Sequence, residues 1–562
     1  MLRYLVVAAM FLFSVEGACH AAQDLRERVG RIIYVNNRDP NASDENIGTE
    51  EKPVSTIARA AALGQKNNQN EISTNIVIYP GTYRESIRLE PYSKDTNAAI
   101  IFEAKQKGMA IISGSDVWTG WQREGNTNVY SHSWPHRWGL APNPWVQDKV
   151  TLDPIVRRRE MIFADGKLLA QVLSMQELKT NSFYVDEEKV TVYVSLAPDT
   201  KIDDTVIEVA SRSSLLKVDG KRNVTLRGLV FQHGNSPVGE SAVAINGSSR
   251  ILIEESKLQW NNWSGLEFRS TNNITLRRNT VSANGGSGIT LWKVKTLLFE
   301  DNETSANNWR GAKGKFYGWA VAGVKSMRVH DGIYRRHRST GNQTRGLWFD
   351  YDNVNIEIDS AFLCFNFTDG INLEANEGPI TIRNSTICRN ENGPGLVGSH
   401  TRNVRLDNNI IYGNGWTQIR IIGRVPRASD NWETKQRMML EVGDWTLKDN
   451  IIVGRGSKQL LLDLDDVGTT PFVQTLIQEG NLWYNSENIR VFKLLGKDAE
   501  FSDWQQLTGR ESKSMFADPR FVDGDSLKFD LLRNSPWKNK GPLRNRSEEA
   551  SPISPSSFSA QP

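Results

Sequence analysis

The chain has 562 residues, of which 24% are charged and 38% hydrophobic, a composition typical of a soluble globular protein. Its formal net charge of +3 at pH 7 argues against general nucleic-acid binding, although local basic patches are compatible with it. The length allows several ordinary domains or one extended repeat architecture. The 17 tryptophans are compatible with sugar stacking and equally with core packing.

The first residues carry the pattern of an export signal. Arg3 precedes the apolar run YLVVAAMFLF, and the small residues in GACHAA predict cleavage after Ala21. The apolar run is too short to cross a bilayer, and no later stretch reaches the length of a membrane span. The prediction is a signal peptide at 1–21 and an exported chain, periplasmic or extracellular.

The next segment predicts a cap and the first strands of a repeat. PVSTIARAAA predicts one capping helix, and IVIYPGTYRESI and AIIFEAKQKGMAIISG predict strands with a Pro-Gly turn between them. We assign residues 22–114 to this cap and the first coils. Residues 115–210 differ, because MIFADGKLLAQV and KVTVYVSLAPD alternate as antiparallel hairpins do. They predict a small antiparallel β subdomain inserted between early coils.

Residues 211–455 contain a repeat of short apolar units that often end in Asn, such as ITLRRN, LLFEDN, VRLDNN and WTLKDN. Alignment of the last position of each unit predicts this register: Leu229, Ser256, Asn279, Asn302, Gly332, Ala361, Ser385, Asn409 and Asn450. Two strand signals in a period of about 23 residues, without a helix or a leucine-rich signature, predict a right-handed parallel β-helix. The recurring Asn is expected to hydrogen-bond along the stack of coils.

Two cysteines of the mature chain fit this register. Cys364 lies three residues past Ala361, and Cys388 lies three past Ser385, so the two are expected to stack. Parallel strands bring their Cα atoms within disulfide range, but parallel Cβ vectors lie wider than a disulfide prefers. A disulfide and a pair of stacked reduced thiols are both compatible with this placement.

The repeat loosens after Asn450. The stretch from FADPRFVD through RNSPWKNKG predicts a terminal cap that covers the open end of the solenoid. Residues 456–545 are assigned to the last coils and this cap, and residues 546–562 to a tail that is disordered by composition. The predicted fold class is all-β, a parallel β-helix with one inserted subdomain and terminal caps, in a monomeric protein.

Two strands that begin with glycine place carboxylates on adjacent coils. Strand side chains alternate, so Trp348 and Asp350 in GLWFD, and Asn372 and Glu374 in GINLE, are predicted to face outward. Asp350 and Glu374 are 24 residues apart, which is one coil, and should be direct neighbours. Glycosidic hydrolysis requires such a pair, one carboxyl as general acid and the other as nucleophile or base. Close like charges favour protonation of one of the two.

Other candidate substrate contacts flank the pair. The matching outer position holds Trp292 on an earlier coil, and Ser399, followed by His400, on the next coil. Aromatic and basic residues fill the loops NNWRGAKGKFYGWA, YRRHRSTGNQTRG and QIRIIGRVPR. Because arginine pairs bidentately with carboxylates, a polysaccharide or oligosaccharide that bears uronic acids fits. The predicted substrate-binding residues are Trp292, Trp309, Arg310, Lys325, Arg345, Trp348, Asp352, Asn372 and His400.

The residues leave alternatives open. Asp352, with Asn376 as its expected stacked neighbour, is a candidate second acid, sugar ligand or metal ligand. A Ca²⁺-assisted polysaccharide lyase would use Asp350, Asp352 and Glu374 as ligands and Lys325 as base, whereas the hydrolase needs no cofactor. A third alternative is a non-catalytic rod that binds carbohydrate, which predicts tolerance of Asp350→Asn and Glu374→Gln.

The chain resembles known enzymes in several motifs. PVSTIARAAA, YPGTYRESI and IISGSDVWTGW resemble the N-terminal part of the pectate lyase-like β-helix superfamily, and FADPRF…NSPW resembles its C-terminal closure. NNWRG, GLWFDYDNVNI and GINLEANEGPITIRN resemble glycoside hydrolase family 141, which includes activities on fucosides and xylans of plant walls. The resemblance implies hydrolysis rather than elimination and places the family's acidic residues on Asp350 and Glu374. Glu377 stands where that family usually has a basic residue or His.

Overall fold

The computed structural model describes residues 30–91, 96–198, 200–423, 425–465, 472–494 and 496–537. The predicted signal peptide at 1–21 and the predicted tail at 546–562 lie outside the described residues. The chain divides into two compact units, Met1–Trp348 and Phe349–Pro562, here called the first unit and the second unit. Each unit is a stack of parallel strands.

The first unit begins with one helix and six short strands. Helix α1 (Ile57–Gln69) is the capping helix predicted in PVSTIARAAA, and the Thr56 hydroxyl caps it by accepting the Arg59 N–H at 3.1 Å. Its buried face, which includes Ile57 and Ala60, packs on the first strands. The strands are β1 (Arg31–Val35), β2 (Thr74–Ile78), β3 (Gly81–Tyr83), β4 (Ile87–Leu89), β5 (Ile100–Ala104) and β6 (Ala110–Ser113).

An antiparallel subdomain interrupts the coils. This insert contains β7 (Ser115–Trp118), β8 (Gln122–Arg123), β9 (Val129–Ser133), α2 (Pro154–Arg157), β10 (Ile162–Ala164), β11 (Lys167–Leu168), β12 (Ala170–Val172), β13 (Ser182–Asp186), β14 (Thr191–Ser195) and β15 (Ile207–Ala210), with single 3-10 turns at Met175–Glu177 and Ile202–Asp204. Two sheets form, β11-β10-β15-β7 and β12-β13-β14-β9-β8, antiparallel throughout except between β12 and β13. A core around Trp134, Phe183 and Val194 joins them.

The β-helix resumes after the insert without losing register. The strands are β16 (Leu216–Asp219), β17 (Arg222–Arg227), β18 (Leu229–Gln232), β19 (Ser241–Asn246), β20 (Ser249–Glu254), β21 (Lys257–Gln259), β22 (Ser264–Arg277), β23 (Thr280–Ser282), β24 (Ile289–Glu300), β25 (Glu303–Ser305), β26 (Ala322–Arg335), β27 (Arg338–Thr340) and β28 (Arg345–Asp350), with α3 (Trp309–Lys313) after β25. Strands β16, β17 and β18 pair in parallel with β4, β5 and β6. The insert is therefore a side branch of a continuous stack.

Apolar residues at equivalent positions stack into the core of the first unit. One column runs Leu226, Ile253, Leu276, Phe299 and Tyr334 through β17, β20, β22, β24 and β26, and all five are buried. Each added coil removes another set of apolar side chains from water, so neighbouring coils stabilise one another.

The second unit continues the same architecture. Its elements are β29 (Val354–Asp359), β30 (Phe362–Cys364), β31 (Ile371–Glu374), β32 (Ile380–Arg383), β33 (Thr386–Cys388), β34 (Leu396–Ser399), β35 (Arg402–Asp407), β36 (Ile410–Tyr412), β37 (Thr417–Ile422), β38 (Arg427–Asp430), β39 (Arg437–Leu440), β40 (Gly443–Lys448), β41 (Ile451–Gly454), β42 (Leu460–Asp465), α4 (Phe472–Thr475), β43 (Ile477–Glu479), β44 (Leu482–Asn485), β45 (Phe492–Leu494), β46 (Lys497–Ala499), α5 (Phe501–Thr508), β47 (Met515–Phe516), β48 (Phe521–Asp523) and β49 (Lys528–Leu531). Three parallel ladders form: β29-β32-β35-β40-β43, β31-β34-β37-β42-β45 and β30-β33-β36-β41-β44-β47.

Buried asparagines stack along the corners of the coils. The Asn409 side chain accepts the Ser385 N–H at 2.9 Å and donates to Asn450 Oδ1 at 3.0 Å and to the Ile382 carbonyl at 2.9 Å. Each side chain thus satisfies backbone groups that the strand ladders leave unpaired. The predicted structural role of the Asn series agrees with this geometry.

The predicted register is wrong at Gly332. That glycine pairs with Leu297 inside the long strands β24 and β26. The ladder position after Asn302 is the buried His337, whose Nδ1 lies 2.7 Å from the Asn302 carbonyl. The loop that contains α3 precedes β26 and lengthens this coil to 35 residues. This extra length is why the alignment of the repeat units by sequence placed Gly332 at the ladder position.

The two cysteines are joined. Cys364 and Cys388 are register partners on β30 and β33, with Cα atoms 4.5 Å apart, and form a disulfide between adjacent coils. Of the two alternatives that the sequence leaves open, the structure has the bond.

An Asn→Asp substitution in the asparagine ladder should lower the free energy of unfolding much more than the same substitution one residue away. Asn409→Asp removes two donors and buries a charge, and we expect it to lower the free energy of unfolding by about 3 kcal/mol. Asn408→Asp is the control, because the Asn408 side chain is half-buried and donates to the Asn384 side chain at 2.6 Å, and Asp tolerates its left-handed φ of 58°. Its effect should be about 0.5 kcal/mol. Equal effects in urea unfolding of the two variants would contradict the ladder's role.

The last coils end on a buried carboxyl group. Glu511 accepts hydrogen bonds from Trp483 Nε1 at 3.0 Å, from the Asn481 amide at 3.3 Å and from the Ser514 hydroxyl. Burial raises the pKa of Glu511 from 4.5 to about 7, against the lowering effect of these donors.

This raised pKa predicts a pH-dependent stability. Because the folded chain holds the proton more tightly than the unfolded chain, the stabilisation is fully present below about pH 4.5 and is lost as the pH rises through about 7. Relative to Glu511→Gln, which does not titrate, the wild type should lose about 3 kcal/mol across this window. Chemical unfolding of both proteins between pH 4.5 and 8 measures it. A difference that does not change with pH would show that Glu511 does not titrate there.

Candidate functional site

Asp350 and Glu374 are partners on two adjacent strands, β28 and β31. The Tyr351 N–H donates to the Glu374 carbonyl at 2.7 Å. The Ala375 N–H donates to the Ser399 carbonyl with the same one-residue offset, and there Glu374 and Ser399 are register partners. The same pattern makes Asp350 the partner of Glu374. One outward-facing column of the second unit therefore runs Asp350, Glu374, Ser399.

Glu374 is partly accessible and bonded to an arginine. Its side chain is 31% exposed, and Oε1 lies 2.8 Å from Arg427 Nη1. Such a charge-assisted hydrogen bond orients the carboxylate and compensates its charge. Arg427 is the first residue of β38 and lies far from Glu374 in the sequence.

A hairpin contacts Glu374 and the two residues that follow Asp350. Strands β38 and β39 pair antiparallel from Arg427 to Leu440, and we call the segment Arg427–Leu440 the cover hairpin. Besides the Arg427 contact, the Trp432 N–H donates to Asp352 Oδ2 at 2.8 Å, and the Asp430 N–H approaches the Tyr351 hydroxyl at 3.4 Å. The cover hairpin is thus held to the strand end that follows Asp350, and it begins with Arg427, the last residue of the basic loop QIRIIGRVPR.

Asp352 has a different role from those predicted. Its side chain is only 3% exposed, and its carboxylate holds the cover hairpin. Asn376 is not its stacked neighbour, because Asn376 Oδ1 accepts the backbone N–H of Asn353 at 2.9 Å. Two left-handed residues, Tyr351 and Asp352, follow Asp350, whereas one, Ala375, follows Glu374. This extra residue shifts the corner by one position.

His400 and Asn372 lie near the pair with their side chains engaged. His400 Nδ1 lies 2.9 Å from the Ser399 hydroxyl, and Nε2 lies 3.1 Å from the Val425 carbonyl. The Asn372 amide donates to Asp369 Oδ2 at 3.0 Å. Both side chains are buried. Contact of either side chain with a substrate stays a prediction.

In the first unit, three predicted residues come together around an indole ring. Lys325 Nζ lies 3.5 Å from the centroid of the Trp348 ring, and the Arg345 guanidinium lies 4.4 Å from it. Trp348 was predicted to face solvent, but it is 5% exposed because these two side chains cover it. Trp292 remains accessible at 36%, and the guanidinium of Arg269, its register partner, lies 5.2 Å from its ring.

Trp309 and Arg310 connect α3 to the insert. Trp309 Nε1 donates to the Ala283 carbonyl at 2.9 Å, and its ring packs on the insert while staying half-buried. Arg310 is 1% exposed and donates to the Glu160 carbonyl at 2.7 Å and to Gln171 Oε1 at 2.8 Å. The buried Arg310 side chain is therefore not at a substrate surface, whereas substrate contact by Trp309 stays a prediction.

Two further observations bear on the site. Within residues 30–537, apart from the gaps given above, no three His, Cys, Asp or Glu side chains form a group that could hold a metal ion. In the same part of the chain, no helix is long and apolar enough to cross a membrane.

Comparisons with known proteins agree on the fold. A family model described as a right handed beta helix region matches residues 192–359. The structure of XylC with xylose superposes with a TM-score of 0.66 at 16% identity, covering 88% of each chain. The A-module of the mannuronan C-5 epimerase AlgE6 from Azotobacter vinelandii gives a TM-score of 0.48 at 12% identity, over 83% of this chain and 96% of that one. The predicted right-handed parallel β-helix is confirmed.

One curated relative matches locally. The uncharacterized protein YwoF of Bacillus subtilis (strain 168) is 33% identical over 91 residues. The match spans 16% of this chain and 17% of the length of YwoF.

The anchoring role of Asp352 is testable by hydrogen exchange. Asp352→Ala removes the acceptor of the Trp432 N–H, so this amide and its neighbours in the cover hairpin should exchange about tenfold faster. Asp430→Ala is the control, because Asp430 reaches Tyr351 through its backbone N–H rather than its carboxylate. Unchanged exchange across the cover hairpin in Asp352→Ala would show that other contacts hold it.

Proposed function

We propose that the protein is an exported carbohydrate-active enzyme, a glycoside hydrolase in which Asp350 and Glu374 are the catalytic pair. The observation that carries the proposal is the pairing of the two carboxylates in register on adjacent strands, beside the cover hairpin. Hydrolysis of a glycosidic bond needs two such groups, one to protonate the leaving oxygen and one to attack the anomeric carbon or activate water. Rigid parallel strands hold both carboxylates without the positional freedom of loop residues.

The surroundings suggest a role for each carboxylate. Arg427 supplies a positive charge to Glu374, which suits the partner that works in its ionised form, as nucleophile or base. Asp350 is then the general acid. Glycosidic hydrolysis needs one carboxyl group in each of these two roles.

The substrate class follows from the fold and the flanking residues. XylC, whose structure contains xylose, shares this fold, so a β-helix of this kind is a reasonable host for a pyranose. The cation-lined Trp348 and the exposed Trp292 beside Arg269 combine aromatic surface with positive charge. That combination favours a polysaccharide or oligosaccharide that carries carboxylates. The predicted export signal fits a polymer found outside the cytoplasm.

The calcium-dependent lyase is a weaker candidate. It needs Asp350, Asp352 and Glu374 as a shared set of ligands, with Lys325 as the base. Asp352 is buried and accepts the Trp432 N–H, and Lys325 is stacked on Trp348. These engaged side chains fit an anchoring role better than an open calcium site.

The first test is product analysis on pectic, xylan and uronate-containing polysaccharides, with and without a chelator. Wild type should release saturated reducing sugars, insensitive to chelator, and Glu374→Gln and Asp350→Asn should each be at least about a hundredfold slower. Glu357→Gln is the matched control, because Glu357 lies in the same unit in an ion pair with Arg383 at 2.7 Å.

The other outcomes separate the alternatives. An unsaturated, ultraviolet-absorbing product that disappears with chelator would replace hydrolysis by the lyase reaction. Binding without any product, in wild type and in both variants, would leave a non-catalytic carbohydrate-binding protein.

A further inference from the structure

The insert carries a row of aromatic rings at its surface. The row runs Trp121, His132, Trp118, His136 and Trp138, with ring centroids 5.2, 4.7, 6.2 and 4.2 Å apart in that order. The last two rings are nearly parallel, at 11°. We call these five residues the aromatic row.

Three rings of the aromatic row, Trp118, Trp121 and Trp138, pack against the core of the insert without being buried in it. That core is built from fully buried residues such as Phe183, Val192 and Ile207, and it includes Trp134. The five rings of the row are only half-buried. A contiguous aromatic surface on a small subdomain that already has its own core is typical of a binding site.

Two buried polar atoms beside the row have no hydrogen-bond partner among the described residues. They are Nε1 of Trp134, a residue with no exposed surface, and Nε2 of His136. The Trp134 ring meets His136 and Trp138 edge-on, at centroid distances of 5.0 and 5.5 Å. Buried polar groups are normally paired in the native protein, so these two atoms mark a place beside the row where the protein's own groups do not complete the hydrogen bonding.

The charges around the row favour an uncharged ligand. The Arg159 guanidinium lies 4.8 Å from the Trp138 ring, but its Nε and Nη2 already donate to the Asn235 carbonyl and side chain at 3.0 and 3.2 Å. Burial, and secondarily the charge of Arg159, lowers the pKa of His136, so its imidazole is neutral at neutral pH. A phosphate-bearing ligand would find little free positive charge here.

We propose that the aromatic row is a carbohydrate-binding surface, separate from the carboxylate pair, that takes a chain of pyranose sugars. A pyranose offers an apolar C–H face for stacking on the rings and hydroxyl groups for the half-buried imidazoles of His132 and His136. The insert would then hold a polymer on the protein independently of catalysis. This assignment stands whether or not Asp350 and Glu374 are catalytic.

The test uses the full chain with Glu374→Gln, so that turnover does not interfere. Xylo-oligosaccharides and oligogalacturonates are titrated while binding is followed by calorimetry and tryptophan fluorescence. Trp121→Ala and Trp138→Ala should each weaken binding about tenfold, because each removes one stacking surface. Trp260→Ala is the control, since Trp260 is a 37% exposed tryptophan outside the insert, and it should bind as the parent does.

Each other result overturns the proposal. Unchanged affinity in folded Trp121→Ala and Trp138→Ala proteins would show that the rings only pack. Should the alanine variants not fold, Trp121→Leu and Trp138→Leu fill much of the space without an aromatic face, and unchanged affinity in both has the same meaning. Absence of binding by the parent to xylo-oligosaccharides, the uncharged ligand, removes the carbohydrate assignment. Binding lost only with changes at Asp350 would assign the saccharide to the carboxylate pair.

Discussion

The buried corners of the coils impose the constraint on which the rest of this structure depends. Parallel strands satisfy one another's backbone groups, but at each corner the chain turns through left-handed residues and leaves amides facing the interior. Asn284 resolves this by accepting the backbone N–H of Asn261 and donating to the Leu258 carbonyl and to Asn307 Oδ1. The side chain of one coil therefore fixes the corner of the previous coil. Register propagates in this way, and the pairing of Asp350 with Glu374 is one of its consequences.

The sequence predicts much of this register because the ladder needs a small set of side chains. Ser385, Asn409 and Asn450 were all placed correctly from apolar units that end in a short polar residue. The alignment failed at Gly332 because His337 fills the ladder there, and histidine does not belong to the repeating pattern. It also placed Asn376 beside Asp352, since one additional left-handed residue at a corner leaves no signal in hydrophobic periodicity.

The candidate site was predictable only as far as the coils themselves reach. Period and strand alternation place Asp350 and Glu374 together, because both lie on strands of the repeat. The same reasoning places Trp348 on the outside but cannot show that Lys325 and Arg345 fold over its ring. The sequence identifies Arg427 only as one residue of a basic loop. Its ion pair with Glu374 depends on how the cover hairpin folds back onto the strands, and local sequence patterns do not encode that tertiary contact.

The insert and the cover hairpin, the two segments that depart from the repeat, are each attached to it by buried polar side chains. The insert is fixed by Arg310, which is fully buried and donates to the Glu160 carbonyl and the Gln171 side chain. The cover hairpin is fixed by Asp352, buried and accepting the Trp432 N–H. A buried charge is costly unless it is hydrogen-bonded, so the partners of Arg310 and Asp352 favour one position of each segment. The stacked coils form the scaffold, and buried polar contacts, joined in the cover hairpin by the Arg427–Glu374 ion pair and the Asp430 contact with Tyr351, position the additions on it.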